Sequence, residues 1–235
     1  MTEGHAELRG AVALANQGIA AAGLVVHAFG NASQVDRDTG VFAIKPSGIP
    51  CREVTGDDIV VVSLDDGAVV WGGKRPSSDT PTHRAIYNGI ESVGGVVHTH
   101  SIYATAWAQA RLPIPCLGTT HADHFRGPVP VTRPLSPEEV EGEYETSTGR
   151  VIVELYQPGG LRADEAPGAL VASHGPFAWG DDARAAVEMA SAIELVAELA
   201  THTLAIRSDQ PAIEQHLHDR HFGRKHGPMA YYGQP

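Results

Sequence analysis

Three histidines have the residue type and the positions of a metal site. His98 and His100 close an apolar run, 96–99, that we predict as a short buried strand. Side chains alternate between the two faces of a strand, so positions 98 and 100 point the same way. Two imidazoles on one face are what a Zn²⁺ or Mn²⁺ site takes from one element, although two hydrogen-bonded histidines of a partly buried strand give the same pattern. His174 ends another predicted strand beside a glycine, and is either a third ligand or a surface histidine.

Serines in front of a predicted helix could bind an anion. Ser77 and Ser78 precede Thr80, the predicted N-cap, which a proline follows at the first helical position. Hydroxyls and free backbone N–H groups at a helix N-terminus attract phosphate. Lys45 and the Ser47-Gly48 pair add a cation and further small donors. The same residue types also serve in caps, turns and solvated surfaces, so this pattern alone leaves both interpretations open.

Two further positions could transfer protons. Asp123 lies in a proline-rich segment, where its carboxylate fits either a general base or a residue that forms a turn. Tyr231 and Tyr232 lie near the end of the chain, where a phenol could donate a proton or belong to an unstructured tail.

The hydrophobic pattern around these residues alternates between helical and extended periods. Helices are predicted over residues 7–26, 80–92, 102–110 and 181–206, and in the polar tail from residue 211 to 227. Strands are predicted over a hairpin at 32–44 and over 59–64, 68–71, 96–99 and 168–173, the last followed by a turn at Gly175-Pro176. Segment 112–137 is predicted to be mostly loop, and segment 138–156 to be helical first and extended later. This order predicts one α/β domain with a central mixed or antiparallel sheet and helices on both sides.

The composition fits one globular domain and excludes several classes of protein. The chain has 235 residues, 42% of them hydrophobic, and a domain averages about 150 residues. The net charge of −11 argues against a nucleic-acid-binding protein, and two cysteines are too few for a disulfide framework or a thiolate zinc site. Thirteen histidines are more than a core of this size needs. Without a run of about 20 apolar residues or a basic-then-apolar start, we expect a cytoplasmic protein with no membrane span.

Seven short strings of the sequence resemble motifs of the class II sugar-phosphate aldolase/epimerase family, and they run in family order from residue 30 to the C-terminus. The strings are Gly30-Asn31-Ala32-Ser33, Ile44-Lys45-Pro46-Ser47-Gly48, Pro76-Ser77-Ser78-Asp79-Thr80-Pro81-Thr82-His83, His98-Thr99-His100-Ser101, Gly118-Thr119-Thr120-His121-Ala122-Asp123, Ser173-His174-Gly175-Pro176-Phe177, and Arg224-Lys225-His226-Gly227 with Tyr231-Tyr232-Gly233-Gln234. The chain looks most like the pentulose-phosphate 4-epimerases of that family. The resemblance implies one three-layer α/β/α domain over residues 1–235.

The resemblance also implies a division of labour in the site. A divalent metal, usually zinc with Mn²⁺ or Co²⁺ as alternatives, would be held by His98, His100 and His174, with Asp79 close to it or on it. The phosphorylated substrate would be held by Gly30, Asn31, Ser47, Gly48, Ser77 and Ser78. Asp123 and Tyr232 would be the proton donor and acceptor. The family is a homotetramer, so the tail over about 211–235 would reach into a neighbouring subunit's site.

Two other functions compete with epimerisation. An aldolase of the fuculose-phosphate type would release the aldehyde, but in those enzymes a glutamate stands where this chain has Asp79, one methylene shorter. An adducin-like scaffold has the same fold without the metal site, whereas all three histidines are present here.

Overall fold

Seven antiparallel strands form the centre of the fold in the computed structural model, which describes residues 5–25, 29–226 and 230–231. The strands are β1 Asn31–Asp36, β2 Val41–Ile44, β3 Val60–Ser63, β4 Val69–Trp71, β5 Gly95–His98, β6 Gly168–Val171 and β7 Gly175–Gly180. Their order in the sheet is β4-β3-β2-β1-β5-β7-β6, and every neighbouring pair is antiparallel.

Helices cover both faces of this sheet. They are α1 Ala6–Ala21, α2 Thr80–Gly89, α3 Ile102–Ala110, α4 Thr119–Ala122, α5 Pro137–Glu141, α6 Tyr144–Glu154, α7 Ala183–Ile206 and α8 Gln215–Lys225. On one face, Val97 and its strand neighbours pack against α1, α3 and α7. On the other face, Val96 and Phe177 pack against α2 and α6. The predicted α/β class with a sheet between two helical layers is therefore confirmed.

Hydrophobic periodicity and turn residues predicted most of the helices and strands, and the main departures concern segment 138–156, the Gly175-Pro176 pair and the start of α2. Segment 138–156 consists of α5, a two-residue break and α6, with a turn after Glu154, so the expected extended half is wrong. The Gly175-Pro176 pair begins β7 rather than forming a turn. The chain reverses direction at residues 172–174, where Ser173 has a φ of 64°. Thr80 is the first residue of α2 and not its cap; its hydroxyl donates to the carbonyl of Ser77.

The long helix α7 is the one described helix with the length and apolar composition of a membrane-crossing segment. Its residues Ala186, Ile193 and Ala197 are buried in the core against the sheet. A core helix passes the same length and composition test, so this helix alone is weak grounds for a membrane span.

Candidate metal centre and substrate site

The three predicted histidines form one cluster. His98 is the last residue of β5, His100 follows two residues later, and His174 lies in the hairpin between β6 and β7. Their ligand atoms all lie within 4.8 Å of one another, and the Nε2 atoms of His98 and His100 are 3.2 Å apart. The solvent exposure of the three side chains differs: His98 is buried, His174 is half-buried and His100 is exposed. The cluster is therefore open to solvent on one side.

The backbone fixes which nitrogen of His98 is free. Its Nδ1–H donates to the carbonyl of Pro176 at 3.0 Å, and a carbonyl can only accept, so Nε2 keeps its lone pair. The ring also stacks on Phe177, the residue opposite it on β7, at 4.1 Å between centroids. Backbone and aromatic contacts together hold the His98 lone pair towards the other two histidines.

This arrangement fits a divalent metal. Zinc binds imidazole at about 2.0–2.1 Å, which puts two nitrogens of a tetrahedral site about 3.3 Å apart. The 3.2 Å between the Nε2 atoms of His98 and His100 matches that spacing. Burial and the neighbouring imidazoles lower the pKa of His174 to about 4, so the ring is neutral at physiological pH, as a ligand must be.

Asp79 lies beside the cluster and is tied to β1. Asn31 Nδ2 donates to Asp79 Oδ2 at 2.6 Å and also lies 3.2 Å from the Ser77 hydroxyl. Burial acts to raise the pKa of Asp79, but the imidazoles of His98 and His83 and the Asn31 bond outweigh it, so the pKa lies below its ordinary value. Asp79 is therefore an ionised carboxylate. Among the described residues, the ligand atoms that lie within 4.8 Å of one another are those of the three histidines, and Asp79 is not one of them.

The predicted anion-binding residues come together beside Asp79. Residues 45–47 run antiparallel to 75–77: the N–H of Ser77 donates to the carbonyl of Lys45 and that of Ser47 to Arg75. Lys45 is 2% exposed, and its ammonium donates to the carbonyl of Pro46. Burial lowers the pKa of Lys45 because it disfavours the charged ammonium. An anion bound beside the ammonium would offset that cost. Ser47 and Ser78 are exposed and accessible to a ligand.

Two glycines of the predicted site have the left-handed backbone that favours glycine. Gly30 has a φ of +83°, and an added Cβ would lie 2.9 Å from the carbonyl oxygen of His98. Gly48 has a φ of +80° with open space around its Cα. Gly30 thus allows β1 to start against the end of β5, which places Asn31 directly opposite His98.

Asp123 is held by the C-terminal helix of its own chain. Arg224 donates to both oxygens of its carboxylate, at 3.0 and 2.6 Å, and His221 Nδ1 lies 3.1 Å from Oδ1. His226 Nε2 lies 3.0 Å from the Asp123 carbonyl. Burial acts to raise the pKa of Asp123, but the bonds from Arg224 and His221 outweigh it and lower the pKa, so the carboxylate is ionised.

The structure does not bring Asp123 to the histidine cluster within one chain. Asp123 lies two residues from Phe125, which packs in the core on the face of the sheet that α7 covers. His98 lies opposite Phe177, whose side chain belongs to the other face. Tyr232, its expected partner, lies outside the described residues, whereas the N–H of Tyr231 donates to the carbonyl of Arg224.

Several residues around the site were missed by sequence reasoning. The Tyr144 hydroxyl lies 3.3 Å from His174 Nδ1 with its ring nearly parallel to the imidazole, and nothing in its uncertain segment signalled this. His83 is completely buried, which lowers its pKa to about 3, and its place four residues after Asp79 in a predicted helix was a usable signal. His221 and Arg224, three residues apart on α8, share a helix face as well.

The chain is similar to known proteins over most of its length. The family described as "Class II Aldolase and Adducin N-terminal domain" matches residues 10–201. A protein of Salmonella paratyphi C named L-ribulose-5-phosphate 4-epimerase UlaF is 53% identical over 220 residues, which cover 94% of this chain and 95% of the relative. A protein of that name from Salmonella typhi is 52% identical over the same shares. A solved L-fuculose 1-phosphate aldolase has a TM-score of 0.77 at 22% identity, over 93% of this chain and 95% of its own.

Proposed function

Because this chain belongs to the class II aldolase and adducin family, we propose that it is a metal-dependent epimerase that interconverts L-ribulose 5-phosphate and D-xylulose 5-phosphate. The observation that carries the proposal is the 53% identity, over nearly the whole of both chains, to a relative named L-ribulose-5-phosphate 4-epimerase. The two sugars differ only at C4. The proposed route is retro-aldol cleavage of the C3–C4 bond, rotation of the aldehyde, and re-addition to its other face.

The histidine cluster is the proposed place of a divalent cation, with Zn²⁺ as first choice and Mn²⁺ or Co²⁺ as alternatives. His98, His100 and His174 would hold it, with the ionised Asp79 beside them. When bound, the cation acts as a Lewis acid that stabilises the negative charge developing on the ketose oxygens during cleavage.

The neighbouring residues would bind the substrate phosphate. The Lys45 ammonium supplies a buried cation, and the Ser47, Ser77 and Ser78 hydroxyls supply donors on or next to the two segments that pair at Pro46 and Pro76. Asn31 links this group to Asp79. A phosphate held here would keep the cleaved two-carbon aldehyde, which carries the C5 phosphate, in the site while its carbonyl group turns, which is a positioning role.

Two proton-transfer groups are required, because the C4 oxygen loses its proton on one face of the aldehyde and regains one on the other. Asp123 and Tyr232 are proposed for these roles. Since Asp123 and the cluster lie on opposite faces of one chain's sheet, a neighbouring copy would have to supply Asp123 and its α8 partners. This supports sites between the subunits of an oligomer. We propose that the oligomer is a homotetramer, as the family resemblance implies, and that it acts in the cytoplasm.

An aldolase that releases its aldehyde is the second candidate. In the fuculose-phosphate aldolases the residue at the place of Asp79 is a glutamate, long enough to act as a base at C3. Here Asp79 is one methylene shorter, and its Oδ2 already accepts the bond from Asn31. Both features favour epimerisation. An adducin-like scaffold without catalysis is disfavoured by the intact histidine cluster.

The first test is the reaction itself. We expect the zinc-loaded protein to convert L-ribulose 5-phosphate into D-xylulose 5-phosphate without accumulating aldehyde, measured by chromatographic separation of the pentose phosphates and a parallel aldehyde assay. Accumulation of glycolaldehyde phosphate and dihydroxyacetone in equal amounts would instead establish an aldolase. No conversion of this sugar by a zinc-loaded protein would reject the proposed substrate.

The second test concerns the phosphate. Ser77→Ala with Ser78→Ala is expected to raise KM for the sugar phosphate about tenfold or more, because a hydrogen bond to a charged group contributes about 1.5–3 kcal/mol. Metal content should stay unchanged. Ser208→Ala, at an exposed serine, is the matched control. Equal turnover of L-ribulose with and without its phosphate by the unsubstituted protein would argue against a phosphate site.

A further inference from the structure

A buried polar ladder connects α2 with β1 and ends at the metal cluster. Asp79, just before α2, and His83 and Tyr87 within it follow one another at steps of four, so they lie along one face of the helix. Asn31 and Ser33 alternate on β1 and point to the same face of the sheet. Asn31 donates to Asp79, and Ser33 contacts both His83 and Tyr87.

The middle of this ladder has short contacts and is completely buried. Ser33 Oγ lies 2.6 Å from His83 Nδ1 and 2.7 Å from the Tyr87 hydroxyl, and all three residues have no exposed surface. A buried hydroxyl flanked by two partners can donate to one and accept from the other. The His83 ring is thereby held at Nδ1 by a chain of bonds that begins at Tyr87.

The other nitrogen of His83 has no hydrogen-bond partner among the described residues. Nε2 is buried and unpaired, and so is Oδ1 of Asn31. Leaving a buried polar atom unpaired costs about 1–3 kcal/mol, so such an atom calls for a reason. The side chains that act electrostatically on the His83 ring are those of Asp79 and His98, both of them members of the site.

The charge of Asp79 decides where the His83 proton lies. With the proton on Nδ1, the unpaired Nε2 would bury a lone pair in the field of a carboxylate, which is unfavourable. With the proton on Nε2, that N–H faces the carboxylate's field, Ser33 donates to Nδ1, and the Tyr87 hydroxyl donates to Ser33. Ser33, Tyr87 and Nδ1 of His83 then have consistent donor and acceptor roles, and the Nε2–H is left for the site.

We propose that His83 is a positioning residue whose Nε2–H, held in place through Ser33 and Tyr87, restrains the Asp79 carboxylate beside the metal. The inference rests on the proposed function in one respect, because it needs a metal at the histidine cluster. Asn31 restrains Oδ2 of the same carboxylate from β1, so α2 and β1 would each fix one side of it.

Two amide substitutions separate this role from a merely structural one. In His83→Asn the side-chain amide reaches only the level of Nδ1, where its oxygen can accept from Ser33 as Nδ1 does, and the Nε2 donor is lost. In His83→Gln it stands at the level of Nε2 and keeps the donor towards Asp79. We expect zinc affinity, measured by competition with a chromophoric chelator, to fall about 10–100-fold in His83→Asn, the usual cost of removing an outer-shell partner. His83→Gln should stay close to the unsubstituted protein.

The reverse order of the two variants, or equal affinities, would overturn the proposal, since a packing role depends on the Ser33 contact. Circular dichroism and thermal melting identify a variant that fails to fold. In that case long-range ¹H–¹⁵N correlation spectra of the unsubstituted zinc-loaded protein decide: His83 protonated on Nε2 supports the proposal and on Nδ1 rejects it. Both readouts use zinc alone. Failure to epimerise the sugar phosphate would therefore reject the proposed function and leave this inference standing.

Discussion

His98→Asn is expected to empty the metal site and abolish turnover. His98 is the one buried member of the cluster, and both of its ring nitrogens are committed, Nδ1 to the carbonyl of Pro176 and Nε2 towards His100. An asparagine side chain cannot reach both places. Lewis-acid stabilisation is worth several kcal/mol, so its loss should lower kcat/KM by about a thousandfold or more.

Elemental analysis of metal per subunit, before and after dialysis against a chelator, measures the first effect, and the epimerase assay measures the second. His202→Asn is the matched control, because His202 is an exposed histidine on α7 with an i,i+4 contact to Glu198. We expect that variant to keep both metal and activity. One metal per subunit remaining in the His98→Asn protein would contradict the assignment of the cluster as the metal site.

The sequence predicts contacts between residues that lie close together along the chain better than contacts between distant segments. His98 and His100 could be paired from strand alternation alone, since both belong to one short segment. Their distance to His174 depends on the β6–β7 hairpin lying next to β5. The sequence analysis does not predict that pairing, because it assigns the first two residues of β7 to a turn. A Gly-Pro pair is typical of turns, but here Ser173 takes the left-handed conformation and Gly175 begins a strand.

The ladder beneath the site illustrates the same limit. Asp79 and His83 share a face of a helix that the sequence predicted, so their proximity could have been foreseen. The contacts of Ser33 with His83 and Tyr87 span 50 and 54 residues, and no period in the sequence encodes them. The motif resemblance drew attention to the strings that contain Ser33 and His83, while the structure shows that the two side chains touch.

The sequence also did not predict that α8 packs against Asp123 of its own chain. This contact changes which residues we expect each subunit to contribute to a shared site. If the tail alone crossed to a neighbour, Asp123 would serve its own chain's histidines. Instead His221 and Arg224 of the same chain grip Asp123, on the face of the sheet opposite to His98. Asp123 and the C-terminal helix are therefore expected to act as one unit on the cluster of a neighbouring subunit.

Mixed oligomers distinguish these arrangements. Asp123→Asn and His98→Asn subunits, each inactive alone, are expected to regain activity when co-expressed with different tags and purified as mixed oligomers. In a random mixture about a quarter of the sites would join an intact cluster from one variant to an intact Asp123 unit from the other, as a heterologous interface allows. Native mass spectrometry checks that mixing has occurred.

The decisive comparison replaces His98→Asn by Tyr232→Phe. If Asp123 and the tail of one chain work together, every unit in an Asp123→Asn and Tyr232→Phe mixture carries one defect, and the mixture should stay inactive. A tail that crosses alone gives the opposite pattern, because then only this second mixture contains whole sites. Sites built within single chains restore activity in neither mixture. The Arg224 and His221 contacts with Asp123 thus predict restored activity in the first mixture and no activity in the second.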